Sequence, residues 1–257
     1  NTGESIDTYA SEYKSYFDRN ASNGLTCLDS APRWGIWPSR GLISFGLNPK
    51  NAAVVGDIAI HTTRVIQNSE SLGGWVPLKE SDVFEVEYWE LEQAKLKTGI
   101  SAPSLQGSIA LIALSDAFMA SQCKERLTKA GAAVIAMDES SVQDKIGSAV
   151  EMTVLAHGGL DILITDVALD SSIGVLAGSL PAALPYLKLG VNSKIVAVGA
   201  CSSSALNQCY QKIVTFLADS GEAQIGVVAT NSDKSETFIS ADKSTRESKI
   251  IEKITAA

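Results

Sequence analysis

The chain has 257 residues, 45% of them hydrophobic and 19% charged, enough apolar side chain for one sizeable core or two modest ones. Its 21 Lys and Arg stand against 29 Asp and Glu, a formal net charge of -8 that builds no basic stripe for nucleic acid or an anionic membrane surface. No apolar run reaches the ~18 residues of a membrane helix and no basic-then-apolar leader opens the chain, which, starting at Asn1, is expected to be a processed product or a piece of something longer.

Residues 5–19 read as an amphipathic helix carrying Tyr9, Tyr13, Tyr16 and Phe17. Arg33–Trp37 and Gly41–Phe45 read as two short strands around a turn at Pro38–Ser39, and residues 50–70, after Pro49, as a helix containing His61. Residues 76–97 are acidic and aromatic, with a helix expected from Asp82 to Lys97. Gly99, Pro103 and Gly107 then mark a linker.

From Ser108 the pattern changes. SIALIAL over 108–114 is the nearly continuous apolar run of a strand buried on both faces. A helix over 116–130 ends at Gly131, and a second strand spans 132–137. A helix over 141–157 is stopped by Gly158 and Gly159. Further strands are expected at 160–164, 194–198 and 224–229, and PAALPYLKLG leaves room for about two or three helical turns. Alternating strands and helices of these lengths predict an α/β domain, a parallel sheet with helices on both faces and right-handed crossovers. The resulting division is an N-terminal α+β segment over 1–75, a helical linker over 76–104 and the α/β domain over 105–257.

The four cysteines, Cys27, Cys123, Cys201 and Cys209, form no CxxC pair and read as reduced thiols of a cytoplasmic protein. With only His61 and His157 available, a zinc site on three histidines is impossible within the chain, and no metal is expected. Trp34, Trp37 and Trp75 are candidates for a protein contact surface, so a protein partner or self-association is expected.

LQGSIALIALSDAFMASQCKERLTKAGAAVIAMDESS, from Leu105, resembles the opening of a short-chain dehydrogenase/reductase. The preceding VFEVEYWELEQAKL and NPKNAAVVGDIAIHTTRVI are similar to the bifunctional class II aldolase/alcohol dehydrogenases of the rhamnulose-phosphate aldolase/dehydrogenase type. The resemblance implies a truncated, Rossmann-like dehydrogenase domain after the tail of an aldolase domain. It also implies an NAD(P)-linked oxidoreductase acting on a sugar-derived aldehyde or alcohol.

The residues at the implied site depart from that pattern. Where the family has TGxxxGxG, this chain has Ala113-Leu114-Ser115-Asp116-Ala117-Phe118-Met119-Ala120, with no glycine between Gly107 and Gly131. Phe118 and Met119 add bulk and Asp116 adds negative charge where a pyrophosphate needs close backbone approach. Asp138 matches the acidic residue that holds the adenosine ribose, while Thr165-Asp166-Val167-Ala168 replaces NNAG. No tyrosine has a lysine four residues later; Tyr210 and Lys212 come nearest, at a spacing that points them to different faces of a helix. Ala200 and Cys201 stand at the catalytic serine, followed by Ser202, Ser203 and Ser204, which also read as a helix cap. Ser39, Arg40 and Gly41 occupy a turn where the aldolase family often has a metal element, without its histidine.

The joint losses predict a degenerate dehydrogenase-like domain with no cofactor, acting as a structural or assembly module. The alternative is an active NAD(P)-dependent oxidoreductase using Ser115, Asp138 and Asp166 toward the cofactor and Ser202, Tyr210 and Lys212 in catalysis. A third reading has this region completing an aldolase domain.

Overall fold

The computed structural model describes residues 2–96, 102–137, 142–166, 174–190, 192–199, 202–231 and 237–239. The chain divides into two compact units, Asn1–Ala102 and Pro103–Ala257.

The first unit opens with helix α1 (Thr2–Asn20). Strands β1 (Trp34–Trp37) and β2 (Gly41–Ser44) pair antiparallel from Trp34↔Ser44 to Trp37↔Gly41. Their turn places Ser39 and Gly41 at positive φ, 63° and 120°, which glycine adopts at no steric cost. Helix α2 (Pro49–Leu72) begins with proline in its first turn, where no amide hydrogen is needed. Asn48 caps it, its Oδ1 accepting the Asn51 N–H at 2.9 Å.

Two helices, α3 (Glu80–Glu87) and α4 (Glu90–Leu96), replace the single helix expected over Asp82–Lys97. The break falls at Tyr88. Its ring stacks on Phe84 with centroids 4.4 Å apart, its hydroxyl lies 2.8 Å from that of Tyr13, and it accepts the Leu28 N–H at 3.3 Å. These anchors outweigh the weak local preference for continuing the helix. The Glu87 carboxylate accepts the hydroxyls of Tyr13 at 2.7 Å and Tyr16 at 3.0 Å, tying α1 to α3.

The second unit holds β3 (Ile109–Ala113), α5 (Ala117–Lys129), β4 (Ala133–Ala136), α6 (Val142–His157) and β5 (Ile162–Asp166). After these come α7 (Gly174–Leu187), β6 (Lys194–Gly199), α8 (Ser203–Asp219), β7 (Gly226–Asn231) and β8 (Thr237–Ile239). The sheet order is β4-β3-β5-β6-β7-β8, with the first five strands parallel. β8 runs antiparallel to β7, an edge strand hidden from sequence reading inside a polar tail. α7 has 14 residues, longer than the two or three turns expected, and continues through Pro181 and Pro185.

Alternation in the strands divides the core. Leu111, Leu163, Ile195 and Val227 face α6, α7 and α8, meeting Val150, Leu187, Leu206 and Ile213. Ala110, Ile112, Ile164 and Val228 face the other way, with Ala120 and Leu127 of α5. A strand covered on both faces must be apolar throughout, which is why SIALIAL carries no alternation.

Gly131 closes the α5–β4 turn at a φ of 98°, and a Cβ there would lie 2.7 Å from Cβ of Pro103. Gly131→Ala is therefore expected to destabilise this unit by about 1–3 kcal/mol, from the left-handed backbone and the clash together. Urea denaturation followed by circular dichroism measures it, and an unchanged midpoint would refute the tight closure.

Candidate functional site

In an open parallel sheet, ligands bind outside the carboxyl ends of the strands where the winding reverses. Here β3 is flanked by β4 on one side and β5 on the other, so the reversal lies between β3 and β5. Ala113, Leu114, Ser115 and Asp116 leave β3 at that point, and Thr165 and Asp166 end β5 beside them.

The protein's own carboxylates occupy the donors there. Oδ2 of Asp166 accepts the Ser115 N–H at 2.7 Å, a short bond strengthened by charge, joining residues 51 apart in sequence. Oδ1 of Asp116, the N-cap of α5, accepts the Met119 N–H at 3.0 Å. Two negative groups thus sit at the helix end whose dipole and free N–H groups suit an anion. The sequence had also placed the bulk of Phe118 in this turn, but Phe118 is 75% exposed, and Met119 packs on the α5-side core. The obstruction is electrostatic and hydrogen-bonded rather than steric.

Thr165, fully buried on the opposite sheet face from Asp166, has a hydroxyl with no hydrogen-bond partner among the described residues. Sequence reasoning noted Thr165 only as part of a replaced motif. An isolated threonine inside ILITD gives no sign of whether its hydroxyl will be paired.

Ser202, Tyr210 and Lys212 belong to α8 and its cap, which follow β6, the strand beside β5. Ser202 caps α8, its Oγ accepting the Ala205 N–H at 3.4 Å, the capping reading of that loop. Tyr210 lies two turns further along α8, half-buried against the α8-side core, while Lys212 is exposed about 200° around the same helix. Asp138 and Cys201 lie outside the described residues. Cys27, Cys123 and Cys209 are half-buried. Among the described residues no three His, Cys, Asp or Glu side chains gather in a metal-binding group. His61 is exposed on α2, and His157 ends α6 beside Gly158. Trp34, Trp37 and Trp75 are all exposed.

Burial raises the Tyr210 phenol above its ordinary value near 10, opposite to what proton transfer at neutral pH requires. A raised folded-state pKa contributes stability that is complete below the unfolded value and is lost as pH climbs through the folded one. In alkaline titration at 295 nm, the difference between the wild type and Tyr210→Phe should show this phenol ionising only above pH ~10. Ionisation near pH 7 would contradict the geometry.

Comparison with known proteins adds relationships. Residues 1–96 match the family model described as "Aldolase class II, second domain". Over 194 residues the chain is 27% identical to the uncharacterized oxidoreductase YuxG of Bacillus subtilis strain 168, covering 65% of this chain and 28% of that protein. The chain thus spans less than a third of that curated relative's length. Among solved structures, a hydroxysteroid dehydrogenase from Escherichia coli is 12% identical, with a TM-score of 0.40, over 51% of this chain and 73% of that one. A short-chain dehydrogenase from Burkholderia cenocepacia J2315, solved in complex with NADP, is 20% identical, with a TM-score of 0.37, over 50% and 74%. The chain is thus similar to class II aldolase second domains over residues 1–96 and, over 194 residues, to an uncharacterized oxidoreductase.

Proposed function

We propose that the Pro103–Ala257 unit is a dehydrogenase-like domain that has lost dinucleotide binding and catalysis and serves as a structural module of an aldolase/dehydrogenase-type assembly. The observation that carries this reading is the Asp166 carboxylate on the Ser115 N–H, with Asp116 on the next free donor. A dinucleotide pyrophosphate needs those backbone donors and close backbone approach. The residues present do not fit one: both carboxylates repel it, and residues 108–130 contain no glycine. The placement of Tyr210 and Lys212 about 200° apart on α8 supports the same reading, because that lysine does not stand one turn away to lower the pKa of the phenol. The module acts through protein contacts in a cytoplasmic setting, which suits four cysteines that form no CxxC pair.

Titration calorimetry with NADH, NADPH and their oxidised forms tests this. No heat and no shift in melting temperature are expected at millimolar nucleotide. Ligand bound at a hundred times its Kd would stabilise the fold by about 2.7 kcal/mol, so the thermal readout is sensitive. Micromolar binding would overturn the reading. It would favour the alternative that the oxidoreductase relative suggests: an active NAD(P)-dependent enzyme with a non-standard site, in which Tyr210→Phe should abolish hydride transfer.

A further inference from the structure

Helix α2 has two apolar faces, and the first unit covers only one. Ala59 is buried, with Val55, Gly56 and Ile66 half-buried around it; Gly56 faces Ser44 of the hairpin, where a Cβ would stand 3.2 Å from the hydroxyl. Val54, Ile58, Val65 and Leu72 are exposed, Ile58 at 62% and Leu72 at 89%. At 100° per residue these four fall within about 40° of one another and about 125° around from Ala59. With His61 and Asn68, both exposed, they recur at alternating steps of four and three. That heptad spacing is the pattern of a helix that pairs lengthwise with another helix.

The seam is complementary to itself. Set antiparallel to a second copy, Val54 meets Val65, Ile58 meets His61 and Asn51 meets Asn68, each pairing occurring twice about the two-fold axis. In the same register Asp57, flanking the seam, meets Arg64 of the second copy, again twice. Both charges are exposed, and neither makes an ion pair within the chain among the described residues. An apolar layer of Val54 on Val65, the Ile58–His61 layer, matched amides and opposite charges in one register specify both partner and direction.

We propose that α2 is a homodimerisation helix, pairing antiparallel with α2 of a second copy of this chain. The proposal deepens the assembly-module reading by naming its partner, and it is tested without nucleotide, so either can fail alone. Sedimentation equilibrium on the full chain should give a dimer of about 54 kDa, twice the 27.1 kDa chain, at concentrations of about 10–100 µM. Ile58→Glu should weaken dimerisation by about 100-fold, since it puts a charge in a desolvated layer. Asp57→Arg and Arg64→Asp should each weaken it about tenfold at low salt, and the double exchange should restore it to within about threefold. Circular dichroism checks that each variant is folded; should Ile58→Glu unfold, the surface charge exchange decides. A monomer throughout that range, the seam then being covered by another protein or by the second unit, would overturn the proposal. So would a dimer indifferent to Ile58→Glu, or a double exchange no tighter than the single variants.

Discussion

Strand β3 is held at both ends by carboxylates from one neighbouring segment. Oδ2 of Asp161, just before β5, accepts the Ile109 N–H at 2.8 Å, and Oδ2 of Asp166, the last residue of β5, accepts that of Ser115 at 2.7 Å. Between them the register runs from Ala110↔Ile162 to Ala113↔Thr165. Where a strand's ladder ends its last amides need other acceptors, and here side chains supply them. The two aspartates thereby fix the pairing that the remaining parallel strands extend, and a slip of one residue would invert every core side chain on β3.

The same bracketing has opposite meanings at the two ends of the strand. At the amino end, where parallel sheets carry connections, the Asp161 bond is structural. At the carboxyl end lies the crevice where folds of this winding hold ligands, and there Asp166 and Asp116 use as internal acceptors what an anion-binding turn leaves open. Stabilising the turn and binding an anion compete for the same N–H groups. The hydroxyl of Thr165, one residue earlier and buried on the other face, has no partner among the described residues and is a cost that no described side chain offsets.

Much of the second unit was legible from sequence because buried parallel strands announce themselves as short apolar runs, as at 108–114 and 194–198. β5 starts at Ile162, two residues later than expected, just after Asp161, whose carboxylate accepts the Ile109 N–H of β3. β8 was illegible: Thr237-Phe238-Ile239 sits among polar residues and is a strand only through its pairing with β7. The break at Tyr88 depends on contacts with Tyr13 and Leu28, 75 and 60 residues away, which no local window contains. At the candidate site, sequence reasoning saw that Asp166 carried the wrong charge. It could not see that the carboxylate had a donor, because the pairing with Ser115 exists only once β3 and β5 are adjacent. It also assigned Phe118 a blocking role that its outward orientation denies.

The strand lengths carry a further consequence. Among the described residues the sheet ends in β4, with four residues, and β8, with three, while β6 and β7 have six each. A sheet whose outermost strands are its shortest offers little exposed ladder on which another chain could template itself, a common protection against edge-to-edge aggregation. Association through backbone strand addition is disfavoured at both margins of the sheet. Any association is thereby left to side-chain surfaces, which discriminate between partners as bare backbone does not.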